Sequence, residues 1–104
     1  MSDSSSTTTT DQQLEAMRGE LDAIDVQLLE ALRARLRICE RIGHHKKAFG
    51  VPMMQPHRIG IVQARAADFA AANGISAPFL RELYEVIITE TCRIEDAIID
   101  AKAP

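Results

Sequence analysis

A few basic side chains and one pair of polar residues carry the chemistry open to this sequence. Arg35 and Lys46 are 11 residues apart. On a helix that spacing returns to within about 20° of the same face and sets the two cations about 16 Å apart. Arg58 stands at helical spacing with Gln55, Ile59 and Val62, a polar member of a row that otherwise looks inward. Thr91 and Glu95, at i and i+4, share a surface with Tyr84 and Ile88. Several cations among aliphatic neighbours suit a small apolar-walled cavity for a polyanion, and the guanidinium fork matches a carboxylate. The sequence has no Ser–His–acid arrangement, no glycine-rich phosphate loop and no metal-type cluster, so no metal or cofactor is expected. Catalysis here would work by positioning and electrostatics.

Each of these residues has an ordinary alternative. Thr91 and Glu95 read equally as solvated surface, and Arg58 as one half of a surface ion pair. Arg35 interrupts an apolar row, where it either snorkels to water or faces an anion held inside a bundle. His44, His45 and His57 read as surface or capping residues.

The elements that must position these groups are helical. Leu14, Leu21, Leu28, Arg35 and Ile42 recur in sevens, and Met17, Ile24, Ala31, Ile38 and His45 form the companion row. Sustained heptads describe a long amphipathic helix packed on other helices. Thr10 and Gln13 match a capping box at its start, Gly43 weakens it locally without ending it, and Gly50 and Pro52 end it near Ala48. Such a helix is about 55 Å long. A chain of 104 residues has a radius of gyration near 13 Å, so a second chain alongside is the natural remedy. Arg18 lies about 100° off the Arg35 face and about 25 Å away along the axis. It is therefore badly placed to serve its own chain's pocket, but an antiparallel or crossing dimer would let it reach that of the partner.

Pro56 suits the first turn of a second helix that ends at Asn73-Gly74, with Ile59, Val62, Ala66 and Phe69 inward. Ser76 caps a third, from Ala77 to about Ala101, striped by Leu80, Leu83, Ile87, Ile94 and Ile98. The expected fold is all-α, three helices (long, short, medium) in an intertwined homodimer. Residues 1–10, rich in Ser and Thr, read as a disordered tail ahead of a domain over 11–104.

Net charge is −3, with 12 Lys and Arg against 15 Asp and Glu. That balance argues against a nucleic-acid partner. No apolar run reaches membrane-spanning length, and the N-terminal stretch lacks the basic and apolar regions of a signal peptide. Cys39 and Cys92 lack metal-type spacing and read as packed thiols of a cytoplasmic protein rather than a disulfide.

Over roughly Leu14 to Ile99 the chain resembles the all-helical chorismate mutase family. The resemblance is carried by M-R-G-E-L-D-A-I-D (Met17–Asp25), by R-L-R-I-C-E-R-I-G-H-H-K (Arg35–Lys46), by Arg58 and by Y-E-V-I-I-T-E-T-C-R-I-E-D (Tyr84–Asp96). It implies an intertwined homodimer and a Claisen rearrangement of a small chorismate-type dicarboxylate, without cofactor. By matching position, Arg18 from the partner chain and Arg35 would hold the carboxylates. Lys46 and Glu95 would bracket the ether oxygen, making Arg35, Lys46 and Glu95 the catalytic set. Gln55, Arg58, Ile59, Ile88 and Thr91 would complete the substrate cage.

Three positions depart from the common bacterial pattern. Glu95 stands where a glutamine faces the ether oxygen, and an ionised carboxylate cannot donate there. Gln55 replaces an aspartate. Ile59 replaces a glutamate that accepts from the C4 hydroxyl of chorismate. The runs G-V-P-M-M-Q-P (Gly50–Pro56) and V-I-I-T-E-T-C-R-I-E-D (Val86–Asp96) resemble the 4-amino-4-deoxychorismate mutase branch, which serves p-aminophenylalanine and antibiotic biosynthesis. Chorismate itself, giving prephenate, is the alternative substrate. A-A-A-N-G-I-S-A-P-F (Ala70–Phe79) resembles the helical isochorismate pyruvate lyases, a further alternative. A helical dimerisation or regulatory module without chemistry is the reading from another class. Such a module has no reason to keep Arg18, Arg35, Lys46 and Arg58 at matching positions.

Overall fold

The computed structural model of the chain describes residues 2–102, with side chains from residue 9 onward. Met1 of the expected tail and residues 103–104 of the expected domain lie outside it. Three helices follow one another: α1 over Ser2–Phe49, α2 over Pro56–Asn73 and α3 over Ala77–Ile99. No strand occurs among the described residues, and the all-α order of long, short and medium helices is as the periodicity predicts. No helix is long and apolar enough to cross a membrane among those residues.

α1 begins at Ser2 and not at the Thr10 cap that the sequence predicts. Ser and Thr have modest helix propensity, but a helix already nucleated gains one hydrogen bond for each residue it adds. The chain forms two units, Met1–Arg35 and Leu36–Pro104.

Among its described residues the first unit is helix alone, and its apolar rows are open. Leu14, Met17, Leu21, Ile24 and Leu28 are 42 to 58% exposed. Arg18 pairs with Glu15 one turn away at 2.8 Å, with both side chains exposed.

The second unit holds the C-terminal turns of α1, α2 and α3, with four well-defined helix termini. Gly50, with φ +65°, closes α1, and the Val51 N–H donates to the Lys46 carbonyl at 2.9 Å. Gly74, with φ +64°, closes α2 in the same way, the Ile75 N–H reaching the Ala70 carbonyl at 3.0 Å. Both are left-handed closures that glycine adopts without steric cost. Pro56 begins α2, and the Ser76 hydroxyl accepts from the Phe79 N–H at 3.3 Å to cap α3.

α2 buries Ala66 and Ala70, the latter completely, while Phe69 is 57% exposed. The predicted inward row therefore leans one residue over, from Phe69 to Ala70. An alanine lets α2 and α3 approach closely where a phenyl ring would hold them apart. Cys39, Ala66 and Ala70 are the buried apolar residues of the described chain.

Candidate active site

Lys46 occupies the last turn of α1, where a cation complements the exposed carbonyls of the helix end. Its ammonium donates to Glu95 Oε1 at 2.6 Å and to the Met53 carbonyl at 2.7 Å. Two of its three N–H groups are thereby committed, leaving one for a ligand atom. The pair is well shielded, with the Lys46 and Glu95 side chains 13% and 6% exposed. Glu95 is the buried charged residue among those described. Desolvating two charges is costly unless each satisfies the other, so neither tolerates loss of its partner.

One turn before Glu95, the Thr91 hydroxyl donates to the Ile87 carbonyl at 3.0 Å. Its oxygen also accepts from the Cys39 thiol at 3.5 Å. Cys39 and Cys92 are both free thiols. Burial raises the Cys92 thiol above its ordinary range, and the charges of Glu95 and then Asp96 push in the same direction.

The other sequence-predicted residues have local contacts and exposures of their own. The Gln55 amide donates to the Pro52 carbonyl at 2.9 Å at an exposed position. Arg58 is exposed in the first turn of α2, and its backbone N–H donates to the Gln55 carbonyl at 3.0 Å. Ile59 and Ile88 are half-buried. Arg18 and Arg35 belong to the first unit, Arg18 exposed beside Glu15 and Arg35 half-buried. His44, His45 and His57 are exposed, with the His45 ring 4.6 Å from that of Phe49. Two surface hollows of the second unit, at Gln63, Ala67 and Arg81 and at Glu85, Thr89 and Arg93, include neither Lys46 nor Glu95.

Sequence reading missed three contributors. The Met53 carbonyl carries no side-chain signal, because any residue at that point of the connection offers the same oxygen. Cys39 reads as packing alone. Gly43 reads as a local weakness of α1, whereas the structure makes it a point of close approach to α3. A Cβ at position 43 would stand 3.3 Å from Glu95 Cα and 3.2 Å from Ile98 Cδ1.

A buried ammonium–carboxylate pair with an ammonium proton to spare suits stabilising charge on a ligand oxygen. The chain is 60% identical over 83 residues to a 4-amino-4-deoxychorismate mutase of Streptomyces pristinaespiralis, 80% of this chain and 64% of that protein. A 4-amino-4-deoxychorismate mutase of Streptomyces venezuelae is 46% identical over 91 residues, 88% of each chain. The T-protein of Haemophilus influenzae is 30% identical over 79 residues, 75% of this chain and 21% of that protein. Residues 17–96 match chorismate mutase type II. That span takes in more than half of the chain and includes Lys46, Arg58, Thr91 and Glu95: the chain belongs to the chorismate mutase type II family.

Proposed function

We propose that the chain is an isomerase that converts 4-amino-4-deoxychorismate to 4-amino-4-deoxyprephenate, working as a cytoplasmic homodimer. The substrate reading is carried by the two Streptomyces relatives of that name, one of which this chain matches over 88% of both lengths. Ile59, in place of a glutamate that would accept from a C4 hydroxyl, removes a contact that chorismate would use, so the preference for the amino substrate rests on the resemblance to those relatives. The catalytic domain is assigned to residues 11–104, with residues 1–10 as an appendage outside it.

The reaction is an intramolecular Claisen rearrangement. The ether C–O bond breaks while a C–C bond forms between the enolpyruvyl side chain and the ring, with no net proton transfer. Electron density builds on the ether oxygen as its bond breaks. The Lys46 ammonium faces that oxygen with its remaining N–H, and an interaction that strengthens only as charge develops lowers the barrier. Glu95 holds Lys46 in place in the unliganded site, and once protonated it donates to the same oxygen from the other side. Arg35 and the partner's Arg18 hold the two carboxylates and, with Arg58, Gln55, Ile59, Ile88 and Thr91, select the folded conformer. The exposed Arg18–Glu15 pair is worth at most about 1 kcal/mol, so a substrate carboxylate displaces Glu15 at little cost.

The exposed rows of Leu14, Met17, Leu21, Ile24 and Leu28 support the dimer, because contiguous apolar surface of this kind marks an interaction face. The free thiols support a reducing compartment. A comparison of kcat/KM for 4-amino-4-deoxychorismate, chorismate and isochorismate under one set of conditions tests the reading. The amino substrate is expected to lead. A higher value for chorismate would make the chain a prephenate-forming mutase, and pyruvate release from isochorismate would make it a lyase.

A further inference from the structure

We infer that Gly43 and Cys39 are positioning residues, whose close seam against α3 sets the separation at which the Lys46 ammonium meets Glu95. The inference rests on the proposed role of Lys46 and Glu95 at the ether oxygen. Cys39, Gly43 and Lys46 follow one another at i, i+4 and i+7 on one face of α1. Thr91, Glu95 and Ile98 repeat that spacing on α3. The two faces meet step by step. The Cys39 thiol lies 3.5 Å from the Thr91 hydroxyl, Gly43 lies over Glu95 and Ile98, and Lys46 reaches Glu95 Oε1 at 2.6 Å.

Gly43 is the tightest of these steps. A Cβ there would stand 3.3 Å from Glu95 Cα, 3.2 Å from Ile98 Cδ1 and 3.5 Å from Ile98 Cβ. The Ile98 methyl can rotate aside, but Glu95 Cα is backbone and moves only with the helix. A methyl at position 43 therefore displaces α3 at the residue whose carboxylate holds Lys46. Gly19 and Gly60 are also helical, and a Cβ at either meets nothing within 4 Å. The lack of a side chain is thus required by packing at Gly43 and not at those two positions. Glycine is a poor helix former, so alanine at 43 gains propensity while losing fit. Propensity and fit therefore pull stability in opposite directions, so the melt reads their balance while kcat reads positioning.

The test is Gly43→Ala in the full chain, with kcat, KM, a thermal melt and a crystal structure, beside Gly60→Ala as the propensity control. Gly43→Ala is expected to fold and to lose about tenfold in kcat with little change in KM, because sub-ångström misplacement acts on the chemical step. Gly60→Ala is expected to keep wild-type kcat. Adding Ile98→Val removes the atom that the new methyl meets at 3.2 Å and is expected to restore part of the loss. Wild-type kcat in Gly43→Ala would overturn the inference, as would a crystal structure with the Lys46–Glu95 separation unchanged from 2.6 Å. If Gly43→Ala does not fold, the double variant is read in the same way. Failure of both to fold would make the seam purely structural and overturn the positioning role. A wild-type chain inactive on every chorismate-type substrate sinks the proposed function instead, and the Lys46–Glu95 separation in the variant crystal still tests the seam.

Discussion

Two cations, Arg18 of the first unit and Lys46 of the second, are held in opposite ways. In the second, Lys46 is gripped by a buried carboxylate and a backbone carbonyl, and a glycine brings the carrying helices together. In the first, Arg18 lies in an exposed pair with a neighbour on its own helix, and the apolar rows beside it are open to solvent. One unit shields its cation with its own residues, while the other leaves its cation and its apolar rows exposed. On the proposed reaction, a single ether oxygen needs a fixed charge, and the carboxylates of an incoming substrate need guanidiniums able to exchange partners.

Several variants would break or sharpen this contrast, and the largest effect falls on the open rows. Leu21→Glu with Leu28→Glu places charges on the proposed dimer face, and is expected to give monomers by sedimentation and to abolish turnover; an active monomer would show that the first unit needs no partner. Arg35→Ala comes next, with a fall in kcat/KM of about 10²–10³-fold, the scale for losing one preorganised charge contact, while circular dichroism stays helical. Near-normal activity would remove Arg35 from the site.

Lys46→Ala should lower kcat more than it raises KM, and also reduce unfolding free energy by about 3 kcal/mol, because Glu95 is left buried without its partner. A chain of unchanged stability would mean that the pair is not desolvated in solution. Glu95→Gln supplies an amide that donates where an ionised carboxylate cannot, and is expected to keep turnover while losing the ion pair to Lys46; an inactive variant would leave Glu95 with its Lys46-holding role alone.

The smallest effect concerns Cys92. Its folded thiol holds its proton more tightly than the unfolded one, first through burial and then through Glu95 and Asp96. The stability this contributes is fully present below the unfolded pKa and is lost as pH rises through the folded value. Cys92→Ser is expected to soften the alkaline loss of stability in urea titrations, and an identical alkaline limb would place that loss elsewhere.

Much of this arrangement is legible in the sequence because its signals are local. Pro56, Ser76, Gly50 and Gly74 each act within one turn of chain, and the structure places an end or a cap at every one of them. The i,i+4 relation of Thr91 and Glu95 likewise follows from helix geometry alone. What escaped depends on the approach of two helices. Choosing Ala70 over Phe69 as the inward residue, or seeing Gly43 as a contact instead of a weakness, requires knowing how close the neighbouring helix comes. The Met53 carbonyl escaped because backbone oxygens are identical in every sequence.

The shared site is tested most directly by mixing two inactive chains, Arg18→Ala and Arg35→Ala, under conditions in which subunits exchange. In a mixed dimer one site keeps Arg35 from its own chain and receives Arg18 from the partner, while the other site lacks both. Random exchange of equal amounts is expected to restore about one quarter of wild-type activity, from half the dimers with one of two sites each. No recovery between folded, exchanging chains would contradict the account, because each site would then draw both arginines from a single chain.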